Sequence, residues 1–260
     1  MDIASIGGIV VAILGILTGM MIEGGSISQI AQPTAALIVI GGTMGAVMLQ
    51  FPLKTFLAAL KRVMKIFVSG RADSEEFLKQ LVQFANKARK SGIVSLDQDL
   101  NSIKDPFFRQ ALMLAIDGTE PNEVRKIMQM ELDNKSEMEE KIPQVFEAAG
   151  GYSPTVGIIG AVLGLIQVMQ HLDNITEVGR GIAVAFVATI YGVALANLVF
   201  LPVAGKLKIR HREEQMAKEM VLEGVISILE GMNPRMMETK LRTFLAEGKT
   251  PENAADEVAA

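Results

Sequence analysis

The sequence has no cysteine and no tryptophan, two histidines, and an aromatic content of 5% over 260 residues. Without cysteine there is no disulfide, thiol nucleophile or cysteine-ligated metal. His171 and His211 have no companions at ligand spacing, so no metal site is expected. There is no HExxH, no glycine-rich phosphate loop and no G-x-S-x-G. The chain is therefore not expected to be an enzyme or to hold a cofactor. A net charge of -4 gives no reason to expect a nucleic-acid partner.

Charge is also missing locally. Residues 3–22, 27–53, 151–170 and 181–205 contain no Asp, Glu, Lys or Arg, although charged residues make up 21% of the chain. Each stretch can hold an apolar helix near the roughly 20 residues that a bilayer requires. The expected fold class is all-α: a polytopic membrane protein with four transmembrane helices and a helical cytoplasmic domain. Residues 1–52 would carry spans one and two, 53–150 the cytoplasmic helical domain, 151–205 spans three and four, and 206–260 C-terminal helices and a flexible tail from 247.

The positive charges orient these spans. Of 25 Lys and Arg, 15 fall between Pro52 and Gly151 and nine follow Ala204. The short link between the first two spans has Glu23 and no basic residue, and the link between the last two has Arg180. The positive-inside bias places both long segments and both termini in the cytoplasm. Lys54, Lys61, Arg62 and Lys65 follow span two closely, as Lys206, Lys208, Arg210 and Arg212 follow span four.

The cytoplasmic segment reads as helices. Phe77, Leu81, Phe84, Ala85 and Ala88 recur at helical spacing up to Ser91-Gly92. Asp105-Pro106 and Glu120-Pro121 look like helix starts, and Pro143 is expected to bend the helix opened by the second. "IVSLDQDL" at 93–100 is too short to assign. A small bundle can form against the C-terminal helices or neighbouring subunits, with Met113, Met128, Met130, Met216 and Met220 filling its core. A helix over 207–230 and a short one in "NPRMMETKLRTFL" complete the C-terminal part.

Within the spans no ionisable residue lies at mid-membrane; Asp2 and Glu23 bracket span one. What stands out instead is small residues. "GYSPTVGIIGAVLGLIQVMQ" at 151–170 opens with Pro154 and places Gly157, Gly160, Ala161 and Gly164 along one side. "GIAVAFVATIYGVALANLVFLP" repeats the pattern with Gly181, Ala185, Ala188, Thr189, Gly192 and Ala196. Such glycines are costly in a soluble helix, about 1 kcal/mol each, but in lipid they let helices approach closely. Periodicity alone supports close packing of spans three and four. A sharper reading makes Thr189, with Ala161 and Pro154, an uncharged wall that needs a partner helix to bring the titratable group. Pro154 and Pro202, near the inner ends of these spans, each leave a gap in helix bonding that can serve as a bend.

Over nearly its whole length the chain resembles the A subunit of the bacterial flagellar stator, the MotA/PomA family. The resemblance rests on "SPTVGIIGAVLGLIQVM" at 153–169, "GIAVAFVATIYGVALANLVFLPVAGKLK" at 181–208 and "RKSGIVSLDQDL" at 89–100. It implies a ring of A subunits, five in number, around two copies of a B subunit with one span, a membrane aspartate and a peptidoglycan-binding domain. Ions passing that aspartate would turn the ring in the inner membrane, and its cytoplasmic loops would push on the rotor switch protein. Residue by residue, the resemblance implies that Pro154 and Pro202 couple ion flow to movement, that Thr189 lies on the ion pathway, and that Arg89 and Asp97 face the rotor. The family usually has Glu where Asp97 stands, which shortens that contact by one methylene. Sodium-driven members tend to carry threonine where this chain has Ala161. The absence of that hydroxyl points to protons as the translocated ion.

Two alternatives are weighed. An ExbB/TolQ-type proton-driven energiser of envelope transport also rings an aspartate-bearing partner, but usually has three spans and another cytoplasmic layout. A self-sufficient transporter or channel is disfavoured by the lack of an internal charge or an evident inverted repeat.

Overall fold

The computed structural model describes residues 3–68 and 74–246, with side chains over 6–63 and 74–245. Asp2 and the tail expected to be flexible, 247–260, lie outside the described residues. The described chain is helical throughout: α1 (Ile3–Ile22), α2 (Ile27–Ile30), α3 (Pro33–Gln50), α4 (Leu53–Val68), α5 (Ser74–Ser91), a 3-10 segment (Ile93–Ser102), α6 (Pro106–Ile116), α7 (Pro121–Gln170), α8 (Ile175–Ala194), a π segment (Leu195–Phe200), α9 (Leu201–Leu229) and α10 (Pro234–Ala246). The all-α expectation holds. Three helical runs are long and apolar enough to cross a membrane: Pro33–Gln50, Pro121–Gln170 and Ile175–Leu229. Ile6–Ile22 of α1 is apolar but shorter.

Two features correct the sequence reading. Pro154 does not open a helix; it lies well inside α7, which runs 50 residues through both Pro143 and Pro154. Helices α7 and α9 run on without a break across residues 150/151 and 205/206, where the sequence reading divides membrane from cytoplasmic segments. A proline removes one helix bond and crowds the preceding turn, but helix packing can hold the rest of the segment in register. The second correction concerns the methionines. Met128 and Met220 are buried, whereas Met113 and Met130 are 46% and 66% exposed. On α6, Met113 lies off the face that buries Phe107, Phe108, Ala111, Leu112 and Ala115.

Contacts divide the chain into two compact units, Met1–Ser69 with Glu139–Lys208, and Gly70–Met138 with Ile209–Ala260. In the first, Ala35 and Val39 of α3 pack with Val187 and Ala188 of α8. Val47, Ala59, Val145, Phe146, Ala149, Ala204 and Leu207 form a second cluster there.

The second unit has a core of the soluble type, with Leu81, Phe84, Leu96, Phe108, Leu112, Val124, Met128, Met220, Val225, Met237 and Leu241 buried together. Its helix starts follow local rules. Asp105 caps α6, its carboxylate accepting from the Phe108 N–H at 2.8 Å, and Pro106 follows in the first turn, where it needs no donor. The Phe108 ring meets Phe77 and Phe84 edge-on at 6.0 and 5.8 Å. Gly224 lets α9 approach Leu81, because a methyl there would stand 2.6 Å from its Cδ1.

One polar knot ties this core together. Glu223 of α9 accepts from Arg125 of α7 at 2.8 Å and pairs with Lys240 of α10. Burial alone would raise the Glu223 pKa, but the hydrogen bonds and charges of Arg125 and Lys240 outweigh it and hold the carboxyl below its ordinary value. A carboxyl held low in the folded state adds stability that is present above the unfolded pKa of about 4.3. That stability is lost as pH falls through the folded value. Glu223→Gln is expected to weaken this unit by about 1–2 kcal/mol at neutral pH, read as faster amide exchange over Pro234–Ala246. The variant should also lose part of the wild-type weakening in acid. An unchanged exchange rate and pH profile would show that the knot contributes nothing.

Candidate functional site

The small residues singled out in the sequence meet along one antiparallel seam between α7 and α8. A methyl on Gly157 would lie 2.9 Å from the Ala188 carbonyl oxygen and 3.2 Å from the Gly192 Cα. At Gly164 it would meet the Gly181 oxygen at 2.8 Å and the Ala185 nitrogen at 2.9 Å, and at Gly192 the Ser153 oxygen at 2.6 Å. Gly160 faces the Ala188 methyl, and Gly181 faces Val168. These neighbours are mostly backbone, which has no rotamer to yield. The two helices touch main chain to main chain over four turns, the close approach that small residues permit in lipid.

Packing on the seam is one-sided. The α3 helix covers one flank, with Ile38 against Gly160 and Val156 against Gly42. On α7, Pro154 and Ala161 are seven residues apart and share the other flank. On α8, Thr189 follows Ala188 by one residue, and in an antiparallel pair that step leads to the same flank as the step from Gly160 to Ala161. Pro154, Ala161 and Thr189 are each half-buried there. Around them stand Ile158, Leu165, Ile182 and Phe186, between 38% and 68% exposed. The result is an apolar wall with one hydroxyl on it.

That hydroxyl is tethered. Thr189 Oγ1 donates to the Ala185 carbonyl at 3.2 Å, one turn back on its own helix. With its proton used, the oxygen still has lone pairs to accept a hydrogen bond from water or a protonated carboxyl. Pro202 takes no part in the seam; it is exposed in the first turn of α9, just after the π segment.

Three features here were not foreseen. The π segment has the Leu201 N–H donating to the Ala196 carbonyl, five residues back. Its one advance signal was Pro202, which deprives the preceding turn of a donor. Within the same stretch the Asn197 side-chain amide donates to the Val193 carbonyl at 2.9 Å. The other two features are hydroxyls. Thr43 of α3 and Ser153 of α7 are fully buried, and neither Oγ has a partner among the described residues. Each carries an uncompensated desolvation cost on the order of 1–3 kcal/mol.

Arg89 and Asp97 belong to the other unit. Arg89 lies in the last turn of α5 and Asp97 in the 3-10 segment, with Gly92 between them at φ 79°, a conformation that L side chains rarely adopt. Both are exposed, and neither makes an ion pair among the described residues. The local pair is a different one, Lys87 with Asp99 at 2.6 Å. No group of three or more His, Asp or Glu among the described residues could hold a metal ion.

Known proteins share this architecture. Residues 99–220 match the family described as the MotA/TolQ/ExbB proton channel family, and residues 6–92 match the motility protein A N-terminal family. Motility protein A of Bacillus subtilis is 35% identical, over 94% of this chain and 91% of that protein. Chemotaxis protein PomA of Vibrio alginolyticus is 31% identical, over 96% and 97%. A chain of the C. jejuni MotAB structure superposes with a TM-score of 0.90 at 31% identity, covering 94% of this chain and 96% of that one. A chain of the flagellar MotAB stator complex from Bacillus subtilis superposes at 0.87 with 33% identity and 98% coverage of both.

The seam yields a direct test. Gly164→Ala and Gly192→Ala are each expected to destabilise the detergent-solubilised protein by about 1–3 kcal/mol, the usual cost of overpacking. Gly179→Ala and Gly205→Ala, with nothing within 4 Å of the new methyl, should leave the melting temperature unchanged or slightly raised. Equal melting of all four variants would show that the seam does not set the helix spacing.

Proposed function

The chain belongs to the MotA/PomA family of flagellar motor stator proteins, and from that premise we propose how this subunit converts ion flow into torque. It is a non-catalytic, ion-conducting stator subunit of the inner membrane. The match to the motility-specific N-terminal family over residues 6–92 favours this reading over an envelope-transport energiser.

In the proposed arrangement α1 also crosses the membrane, as span one of four, both termini are cytoplasmic, and the subunit works in a ring of five around two B subunits. One observation carries the partner requirement: the wall formed by Pro154, Ala161 and Thr189 has a hydroxyl and no titratable group. A proton pathway needs a group that can be charged and neutral in turn, so the carboxylate comes from the B helix. The MotAB assemblies to which two related chains belong support such a partner. Thr189, tethered to Ala185, presents an acceptor to the protonated carboxyl or to its water. Gly157, Gly160, Gly164, Gly181 and Gly192 hold α7 and α8 as one stiff wall. Pro154 and Pro202, with the widened turn at Leu195–Phe200, supply the points at which that wall can flex.

The ion follows from the donor count. Sodium must replace its water with several oxygen ligands, and Ala161 offers a methyl where a second hydroxyl would stand. A proton needs no coordination shell. Motor torque should therefore persist when external sodium is replaced by potassium and collapse with a protonophore. Torque that followed external sodium with the proton gradient abolished would overturn the assignment.

Force leaves through Arg89 and Asp97. Both charges are exposed and uncommitted within the described chain, which suits repeated electrostatic engagement with the rotor switch protein. Surface pairs of this kind are worth about 0–1 kcal/mol, enough for steering without a lasting grip. Arg89→Glu or Asp97→Lys is expected to cut motility severalfold while insertion and oligomer size are kept. An opposite charge reversal on the rotor protein should restore part of the loss. Failure of both variants to insert or fold would instead assign the residues a structural role.

A further inference from the structure

Helix α4, Leu53–Val68, presents three kinds of surface over residues 53–63, where its side chains are described. Phe56, Ala59 and Val63 share one side and pack against the cluster of Val47, Val145, Phe146, Ala149, Ala204 and Leu207. The next side around the helix carries Leu53, Leu57 and Leu60, which are 58%, 48% and 46% exposed. The side after that carries Lys54 and Lys61, seven residues apart and both exposed. Among the described residues neither lysine has an acidic partner. Arg62, the next position around, pairs with Glu139 at 2.8 Å, so the two lysines form a basic row distinct from that internal pair.

Leucines beside lysines, on a helix whose remaining side is packed on protein, are the pattern of a helix lying in a membrane interface. Its place in the chain agrees. Leu53 follows closely in sequence on the end of α3, where Met48 and Leu49 are 50% and 91% exposed, and α3 is one of the membrane-length helices. We propose that α4 binds anionic glycerophospholipid, with Leu53, Leu57 and Leu60 among the acyl chains and Lys54 and Lys61 on the headgroup phosphates. Charge complementarity selects this occupant. A zwitterionic surface gives the lysines no net partner, and a second copy of the chain would have to bring an acidic strip to the same edge. Binding here would anchor the end of α3 at the bilayer surface independently of the ion pathway, so the inference rests on the membrane placement of α3 alone.

The lack of native cysteine allows a clean test. Full-length protein carrying Leu57→Cys is labelled with an environment-sensitive fluorophore and reconstituted in phosphatidylcholine vesicles. Brominated phosphatidylglycerol or brominated phosphatidylcholine is then added at equal fraction. The anionic quencher should be the more effective, with a preference of about tenfold in local enrichment, and the preference should weaken as salt rises. Lys54→Gln with Lys61→Gln should abolish the preference while both lipids still quench. Equal quenching of the wild-type background by both lipids, or a preference that survives loss of the lysines, would overturn the proposal. Absence of quenching by either lipid would overturn it too, since another protein surface would then cover the stripe.

Discussion

Main-chain contact between α7 and α8 is the constraint on which the rest of the membrane unit depends. Lipid offers no hydrophobic drive for one apolar helix to prefer another, so association must come from close packing. Gly157 against Ala188 and Gly192, and Gly164 against Gly181 and Ala185, bring the backbones to a separation that any larger residue would prevent. Once that separation is fixed, so is the register. Thr189, Ala161 and Pro154 then come to one flank while α3 closes the other. An unpaired charge on such a wall would carry a large desolvation cost. The wall is uncharged, and for that reason the proposed pathway takes its titratable group from a partner.

Stiffness and compliance come from different parts of the same helices. The seam has no rotamers to relax. Toward the end of the seam where Ser153 meets Gly192, Pro154, the π segment and Pro202 each weaken the ladder of backbone bonds. The second unit is held in another way, by a buried core around Phe108 and by Glu223 bridging three helices. That core leaves Arg89 and Asp97 on the surface while their neighbours Lys87 and Asp99 satisfy each other.

Much of this was legible in the sequence, because local chemistry decides it. Asp105-Pro106 and Pro121 mark helix starts with little regard for context, and α6 and α7 begin there. The glycine spacing foretold close packing, since three- and four-residue intervals can lie on one face only in a helix. What was not legible depends on tertiary contact. Pro143 reads as a bend and Pro154 as a helix start, yet α7 passes through both. The π segment inserts a residue into a turn whose sequence, apart from Pro202, resembles the rest of the span. Met113 and Met130 read as core by type but lie on outer faces, because helix phase decides exposure. Glu223 gave no signal, as its partners lie 98 residues before it and 17 after it in sequence. The buried Thr43 and Ser153 hydroxyls were equally silent, because serine and threonine are tolerated in apolar helices whether or not they find a partner.

The central claim is that this chain supplies a proton pathway with walls and not with the proton-carrying group. Proton flux into liposomes measures this most directly, with the purified chain reconstituted alone and together with the proposed single-span B subunit. The account predicts flux near background for the chain alone, despite correct insertion and oligomerisation, and clear flux when a B subunit with its aspartate intact is present. Substantial proton flux through the chain alone would contradict it, because the carrier would then lie within the α7 and α8 wall.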